Sequence, residues 1–222
     1  MSVGNQCATK ENAELIKIFS NPHVETLEGV IAVGGKLSPE LLIYAYAHGT
    51  FPWPHEGYPL LWFCPDQRGV IDFVDLHLPK SFKKWLKKSR TLFTITMNQK
   101  FQEVVKNCKL QKRLDQKGTW INKEIEKNYL ELHKMGQAYS LEVMRAEVLV
   151  GGIYGVQSEK YFSCESMFHL EDNISKLALY ELILYLQKQG QMWLDIQMVT
   201  AVCESFGGKL IHKADFLNRI GC

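Results

Sequence analysis

The sequence predicts an α+β fold, and the stretch from Leu149 to Gln197 carries most of that expectation. Val148–Val156 and Lys160–Met167 are rich in β-branched and aromatic residues and are separated by Gln157–Ser158–Glu159, which is a hairpin signal. Asn173–Ile174–Ser175–Lys176 opens an apolar run that continues to Gln189 and is closed by Gly190, the marks of a helix start and stop. Trp193–Gln197 follows as a short strand. Hairpin, helix and strand in that order predict a sheet covered by a helix.

The elements before this stretch read as follows. Glu11–Phe19 is a short helix and Gly34–Gly35 a turn. Ser38–Pro39–Glu40 starts a helix, with Ser at the cap, Pro at the first helical position and an acid in the first turn. That helix runs to His48, and Gly49 ends it. Pro52, Pro54 and Pro59 make the next stretch a loop, with Trp53 held between two of the prolines. Leu60–Phe63 and Val70–Val74 are strands. A domain boundary is expected near Asp72–Asp75, giving a small N-terminal α/β domain, 1–72, and a larger domain, 73–222.

Pro79–Ser89 reads as an amphipathic helix. Lys80, Lys84, Lys87 and Lys88 fall on one face, and Phe82, Trp85 and Leu86 form the other. Leu92–Thr96 is a strand, and Asn98 is expected to cap a helix to Asn107. A basic loop, Cys108–Lys117, leads to Gly118–Thr119–Trp120. Lys123–Lys134 is a helix stopped by Gly136, and Tyr139–Arg145 is a strand. Beyond Gln197, Val199–Phe206 reads as a helix, Gly207–Gly208 as a turn and Lys209–His212 as a last strand.

The chain of 222 residues is 46% hydrophobic and 23% charged, ordinary values for a globular protein. Its first residues lack a basic start followed by an unbroken apolar run, so no secretory signal is read there. No stretch approaches the roughly 18 apolar residues of a membrane span. The six cysteines are scattered and contain no CxxC pair. That argues against a zinc site or disulfide framework and for a reducing cytoplasm. The formal net charge is +2, but residues 80–117 contain twelve Lys and Arg against two acids, a local charge of +10 that leaves −8 on the remainder. The lysine face of Pro79–Ser89 has no interleaved acid, so an anionic partner is expected.

Ser163, Glu165 and Met167 share one face of their strand, and Asp195 and Gln197 share one face of theirs. If the two strands are neighbours, Glu165 meets Asp195 and Gln197 inside a sheet otherwise built of Val, Ile, Leu and Phe. Buried carboxylates without partners are costly. Such a cluster is either a satisfied structural network or an active site.

The segments GGKLSPELLIYAYAHGTFPW, PLLWFCPDQRGV, TMN, GTWI, LVGGIYG, CESMF, SKLAL and DIQ, in this order over most of residues 29–212, resemble the leucyl/phenylalanyl-tRNA–protein transferase family. Three positions depart from it. The family usually has Gly where Cys164 stands, His where Tyr139 stands and Cys where Ile196 stands, changes of pocket shape more than of reaction type. The resemblance implies an acetyltransferase-like (GNAT) mixed sheet with flanking helices. It implies transfer of Leu, Phe or Met from aminoacyl-tRNA to the N-terminal Arg or Lys of an acceptor protein, marking it for degradation by the N-end rule. No cofactor or metal is expected. Asp195 and Gln197 match the family's relay, in which the Gln197 amide NH2 donates to Asp195 while its carbonyl accepts from the attacking amine. Glu165 suits the acceptor's cation. Ile153, Met167, Leu179 and Leu182 match the slot for the carried side chain. Trp53 and Trp120 match tryptophans that hold the terminal adenosine. Lys80, Lys84, Lys87 and Lys88 match the residues that meet the acceptor stem, with charge kept and the bidentate geometry of Arg lost.

Two other functions fit parts of the sequence. An acyl-CoA N-acyltransferase on the same fold needs a Gly-rich pyrophosphate loop before a helix, whereas Phe206–Gly207–Gly208 follows one. A non-catalytic tRNA-binding module accounts for the basic helix but not for Glu165, Asp195 and Gln197 together.

Overall fold

The computed structural model of the chain describes residues 10–24, 26–111 and 119–222. In chain order the first elements are α1 (Lys10–Phe19), β1 (Val30–Val33), α2 (Pro39–Ala47), β2 (Phe51–Pro52), β3 (Leu61–Phe63), β4 (Gln67–Asp72), α3 (Lys80–Ser89), β5 (Thr94–Met97) and α4 (Phe101–Leu110). They are followed by α5 (Lys123–Lys134), β6 (Ala138–Arg145), β7 (Val148–Gln157), β8 (Phe162–His169), α6 (Ile174–Lys188), β9 (Trp193–Gln197), α7 (Ala201–Glu204), β10 (Lys209–His212) and α8 (Lys213–Ile220).

The fold is α+β. Seven strands form one mixed sheet in the order β10-β4-β9-β8-β7-β6-β5, and β1, β3 and β2 form a small second sheet. Every pair in the large sheet is antiparallel except β8 with β9. That parallel pair needs a crossover, and α6 supplies it. β8 and β9 are in register only at Ser163 and Asp195, so beyond this point they part.

Helices cover both faces of the sheet. On one face α6, α3 and α7 enclose a core that includes Phe82, Leu177, Leu179, Leu182, Leu194 and Phe206. On the other, α4 and α5 pack with α1, α2 and the small sheet around Phe19, Leu41, Trp62, Val104 and Ile125. The N-terminal elements therefore share one apolar core with the larger sheet. Gln67–Asp72, which the expected boundary at 72/73 assigns to the N-terminal domain, is an interior strand of the large sheet. We propose that the division lies before β4 rather than after it.

The Ser38 cap is present, its hydroxyl accepting from the Leu41 N–H at 3.2 Å. Four expectations change. Asn98 does not cap α4: it has φ +60, and its amide oxygen accepts from the Ser140 N–H at 2.9 Å. The turn before α4 is held instead by the buried Glu142 carboxylate, which accepts from the N–H groups of Gln99 and Lys100 at 3.4 Å each. α4 continues to Leu110, so Cys108 is helical, and residues 112–117 of the expected basic loop lie outside the described residues. Val199–Phe206 contracts to α7, because Thr200 caps it by accepting from the Cys203 N–H. β1, β2 and α8 were not expected.

Gly207 and Gly208 are explained by close packing. A Cβ on Gly207 would meet the Asp75 carbonyl at 2.5 Å, and one on Gly208 would meet the Cys203 carbonyl at 2.7 Å.

Candidate active site

The cleft opens where β8 and β9 part. Two local irregularities shape it. On β8 the pairing shifts between Tyr154↔Ser166 and Gly155↔Cys164, leaving Glu165 as the extra residue of a bulge. Gly155 permits this, since a Cβ there would lie 2.2 Å from the Ser163 carbonyl. On β9 the chain turns sharply at Gln197, which has φ +58, with the Met198 N–H donating to the Ile196 carbonyl at 2.5 Å. A left-handed conformation at a residue other than glycine is strained, and such strain persists where the surroundings over-determine it. Gly69 on β4 makes room for the turn: a Cβ there would be 2.9 Å from the Met198 carbonyl carbon.

Asp195 is fully buried at the base of the site. Arg68 of β4, 1% exposed, donates to both its oxygens, Nε to Oδ1 and Nη2 to Oδ2, at 2.8 Å each. The Ser163 hydroxyl donates to Oδ2 at 2.7 Å, and the Gln197 backbone N–H donates to Oδ1 at 3.0 Å. Burial disfavours the Arg68 charge, but Asp195 beside it more than offsets this and holds the guanidinium protonated. The guanidinium also lies over the rings of Phe51 and Phe216, at 4.6 and 4.5 Å.

The expected bond from the Gln197 amide to Asp195 is not formed. The Gln197 Nε2 donates to Glu165 Oε1 at 2.8 Å and to Ser163 Oγ at 3.3 Å, and only its main chain reaches Asp195. The reason is that Asp195 is already saturated by Arg68 and Ser163. The Gln197 Oε1 is left without a protein partner among the described residues, in a side chain that lines the cleft. Glu165 is partly buried and accepts from the Tyr129 hydroxyl at 3.3 Å through Oε2. Burial pushes its carboxyl up to about 7; the nearby hydroxyls of Tyr46 and Tyr129 and the Arg68 charge pull the other way, and Asp195 adds to the rise.

The cleft encloses about 160 Å³. Trp53, Trp120, Glu165, Met167 and Gln197 line it together, with Ile196, Cys164 and Cys203 as further apolar wall. The proline loop orders Trp53, whose N–H donates to the Leu61 carbonyl at 2.9 Å and whose ring meets Phe63 edge-on at 5.3 Å. Trp120 meets the Tyr129 ring edge-on at 6.4 Å. The other three tryptophans serve the core: Trp62 is fully buried, Trp85 packs with Phe82, and Trp193 stacks on Tyr161. Ile153, Leu179 and Leu182 are not brought to the cleft wall. All three are buried between α6 and the sheet, in the core against which Met167 packs. The cysteines of the wall are poor nucleophiles, because burial raises the thiols of both Cys164 and Cys203.

On α3, Lys80, Lys84, Lys87 and Lys88 are all exposed, and Lys83 with them, while Phe82 is buried against Phe206. None of these lysines makes an ion pair among the described residues. The described residues contain no group of three or more potential metal ligands, and none of their helices is long and apolar enough to cross a membrane.

Sequence reasoning did not single out Arg68, Tyr46 or Tyr129. Arg68 had a usable signal, a lone cation in the strand-like run QRGVID. The tyrosines had none, being ordinary aromatic positions on apolar helix faces.

The α+β sheet thus brings aromatic rings, an apolar wall and a carboxylate–amide pair into one cleft, the parts a group-transfer enzyme needs. Residues 70–221 match the leucyl/phenylalanyl-tRNA protein transferase model, and residues 35–66 match the model of that family's N-terminal domain. The chain is 46% identical over 191 residues to the leucyl/phenylalanyl-tRNA–protein transferase of Flavobacterium johnsoniae, covering 86% of this chain and 89% of that one. It is 41% identical over 201 residues to the corresponding protein of Lawsonia intracellularis, covering 90% and 87%. The chain belongs to the leucyl/phenylalanyl-tRNA–protein transferase family and is a transferase. Solved structures are more distant: a GCN5-related N-acetyltransferase from Kribbella flavida aligns at TM-score 0.39 with 8% identity, covering 96% of this chain and 93% of that one.

Proposed function

We propose that the protein transfers Leu, Phe or Met from aminoacyl-tRNA to the N-terminal Arg or Lys of an acceptor protein by direct aminolysis, in the cytoplasm, and so marks the acceptor for N-end-rule degradation. The observation that carries this reading is the joint presence in one cleft of Trp53 and Trp120, the apolar Met167, and Glu165 bonded to Gln197 at 2.8 Å. Family membership supports it.

In this reading the terminal adenosine stacks on Trp53 and Trp120. The carried side chain lies along Met167, whose flexible thioether adapts to Leu, Phe or Met. Ile153, Leu179 and Leu182 act from behind, as the packed bed that fixes Met167. The lysine face of α3 takes backbone phosphates of the acceptor stem without reading sequence. Glu165 pairs with the cationic side chain of the acceptor's first residue.

The acceptor α-amine has an ordinary pKa of about 7.7–8.0, so a useful fraction is neutral near pH 7. Its nitrogen attacks the ester carbonyl. The C–N bond forms, the bond from that carbon to the ribose oxygen breaks, and the amine's proton ends on the departing ribose hydroxyl. The Gln197 Oε1 accepts from the amine and aims its lone pair. An amide is scarcely basic, so Gln197 orients and does not keep the proton. Asp195, with both oxygens occupied by Arg68, Ser163 and the Gln197 N–H, acts as a positioning residue.

The test mixes purified protein, leucylated tRNA and a peptide beginning with Arg. The peptide is expected to gain one leucine residue by mass, and a peptide beginning with Ser is expected to gain none. Transfer from an acyl-CoA instead of the charged tRNA, or RNA binding with no transfer, would refute the reading.

A further inference from the structure

Glu165 projects from β8, yet hydroxyls that approach it come from two helices outside the strand pair. Tyr46 belongs to α2, Tyr129 to α5, and both are essentially buried. Their hydroxyls lie 2.5 Å apart, and that of Tyr129 donates to Glu165 Oε2. α2 is also tied to the residue just before β8 by a third phenol, since the Tyr161 hydroxyl donates to the Tyr46 carbonyl at 2.7 Å. Phenylalanine would fill the same space as either tyrosine. Burying two phenol hydroxyls is costly unless each finds a partner, and here the partners are one another and the carboxylate.

We propose that Tyr46 and Tyr129 are positioning residues for acceptor selection, their paired hydroxyls holding the Glu165 carboxylate anionic and aimed into the cleft. This rests on Glu165 taking the acceptor's cation. It gives α2, in the N-terminal part of the chain, a share in choosing the acceptor.

Glu165 is faced by Arg68 from β4, Asp195 and Gln197 from β9, Ser163 from its own strand, Tyr46 from α2 and Tyr129 from α5. Burial and Asp195 favour the neutral acid, and Arg68 opposes them from beyond Asp195. The Gln197 amide and the phenol pair also donate toward the carboxylate, and the phenols can be removed with Gln197 and the Arg68–Asp195 pair left in place.

The test uses Tyr46→Phe, Tyr129→Phe and the double variant in the full-length protein. The Glu165 carboxyl is followed by carbon NMR of Glu-labelled protein and assigned by its absence from Glu165→Gln. The double variant is expected to move the midpoint upward by about one pH unit, the effect of losing a hydrogen bond to a charged group. Its KM for an Arg-starting peptide should rise about fivefold at pH 7, as the anionic fraction falls from about one half to about one tenth, and recover at pH 8.5, with KM for leucylated tRNA unchanged. An unmoved midpoint, with Glu165→Gln still raising the peptide KM, overturns the role of the tyrosines and leaves the function standing. A KM rise that higher pH does not repair also overturns it, as packing damage. A moved midpoint with a normal peptide KM in Glu165→Gln overturns the acceptor reading of Glu165 and this proposal with it.

Discussion

Arg68 grips Asp195 through two parallel hydrogen bonds of 2.8 Å, with both side chains sealed from solvent. The pair joins β4 to β9, and the same carboxylate fixes the Ser163 hydroxyl and the Gln197 main chain. One ion pair thus ties β4 to the strained turn that presents Gln197.

Removing one partner of a buried pair leaves an uncompensated charge. Arg68→Met is expected to destabilise the fold by about 3–5 kcal/mol, read from urea unfolding. Asp195→Asn should be comparably destabilising, and it should also lower kcat because the Gln197 N–H loses its charged acceptor. A loss below about 1 kcal/mol in Arg68→Met would show that the pair is not what holds β4 and β9 together.

The α3 lysines are exposed and lack ion pairs among the described residues, while Phe82 holds the helix down. Replacing Lys84 and Lys87 by Ala should weaken tRNA binding and flatten its salt dependence, by roughly one unit of log–log slope for each phosphate that is no longer neutralised. The melting temperature should barely change. An unaltered slope would mean that this face meets only solvent.

The strands β7 to β9 and the helix α6 were legible because period-two and apolar-run signals are local; Trp193–Gln197 and Lys123–Lys134 match their expected bounds. The helix α8 was missed although His212 caps it through its ring nitrogen and Phe216, Leu217 and Ile220 form its buried face. It begins directly after a strand, with no turn residue to announce it. In the site, Glu165 and Gln197 were visible as polar residues in apolar strands. Their bonding pattern was not. The partner of Asp195 lies 127 residues away, and Tyr46 and Tyr129 are 83 apart. Spacing along the chain carries no trace of such pairs, and a saturated Asp195 redirects the Gln197 amide to Glu165.

Gln197 combines an oriented amide with a left-handed backbone, φ +58. The two features separate by substitution. Gln197→Gly removes the amide and relieves the backbone, and Gln197→Ala removes the amide and keeps the strain. Both should lose kcat by about 10²-fold, with aminoacyl-tRNA binding near normal. The glycine variant should be the more stable of the two. A wild-type kcat in either would remove the amide from the mechanism and leave substrate positioning by Glu165, Trp53 and Trp120 as the main device.

Glu165 gives a stability signature whose sign is fixed by its environment. Its carboxyl has an ordinary value of 4.5 and is pushed up to about 7 in the fold, chiefly by burial. Between those values the native state holds a proton that the unfolded chain has released. Stability from this group is therefore fully present below 4.5 and is lost as pH rises through 7. Glu165→Gln abolishes this titration while keeping the shape. The variant should melt close to the wild type near pH 4.5 and roughly 6–12 °C above it at pH 8, since carrying the carboxyl from 4.5 to about 7 costs about 3 kcal/mol and each kcal/mol moves a domain of this size by about 2–4 °C. At pH 8 the same variant should show a raised KM for Arg- and Lys-starting peptides. The two effects oppose one another: the charge that destabilises the fold is the charge that would bind the acceptor. A melting difference that does not grow with pH would show that Glu165 bears no desolvation cost in the fold, and the stability cost assigned to its charge would be wrong.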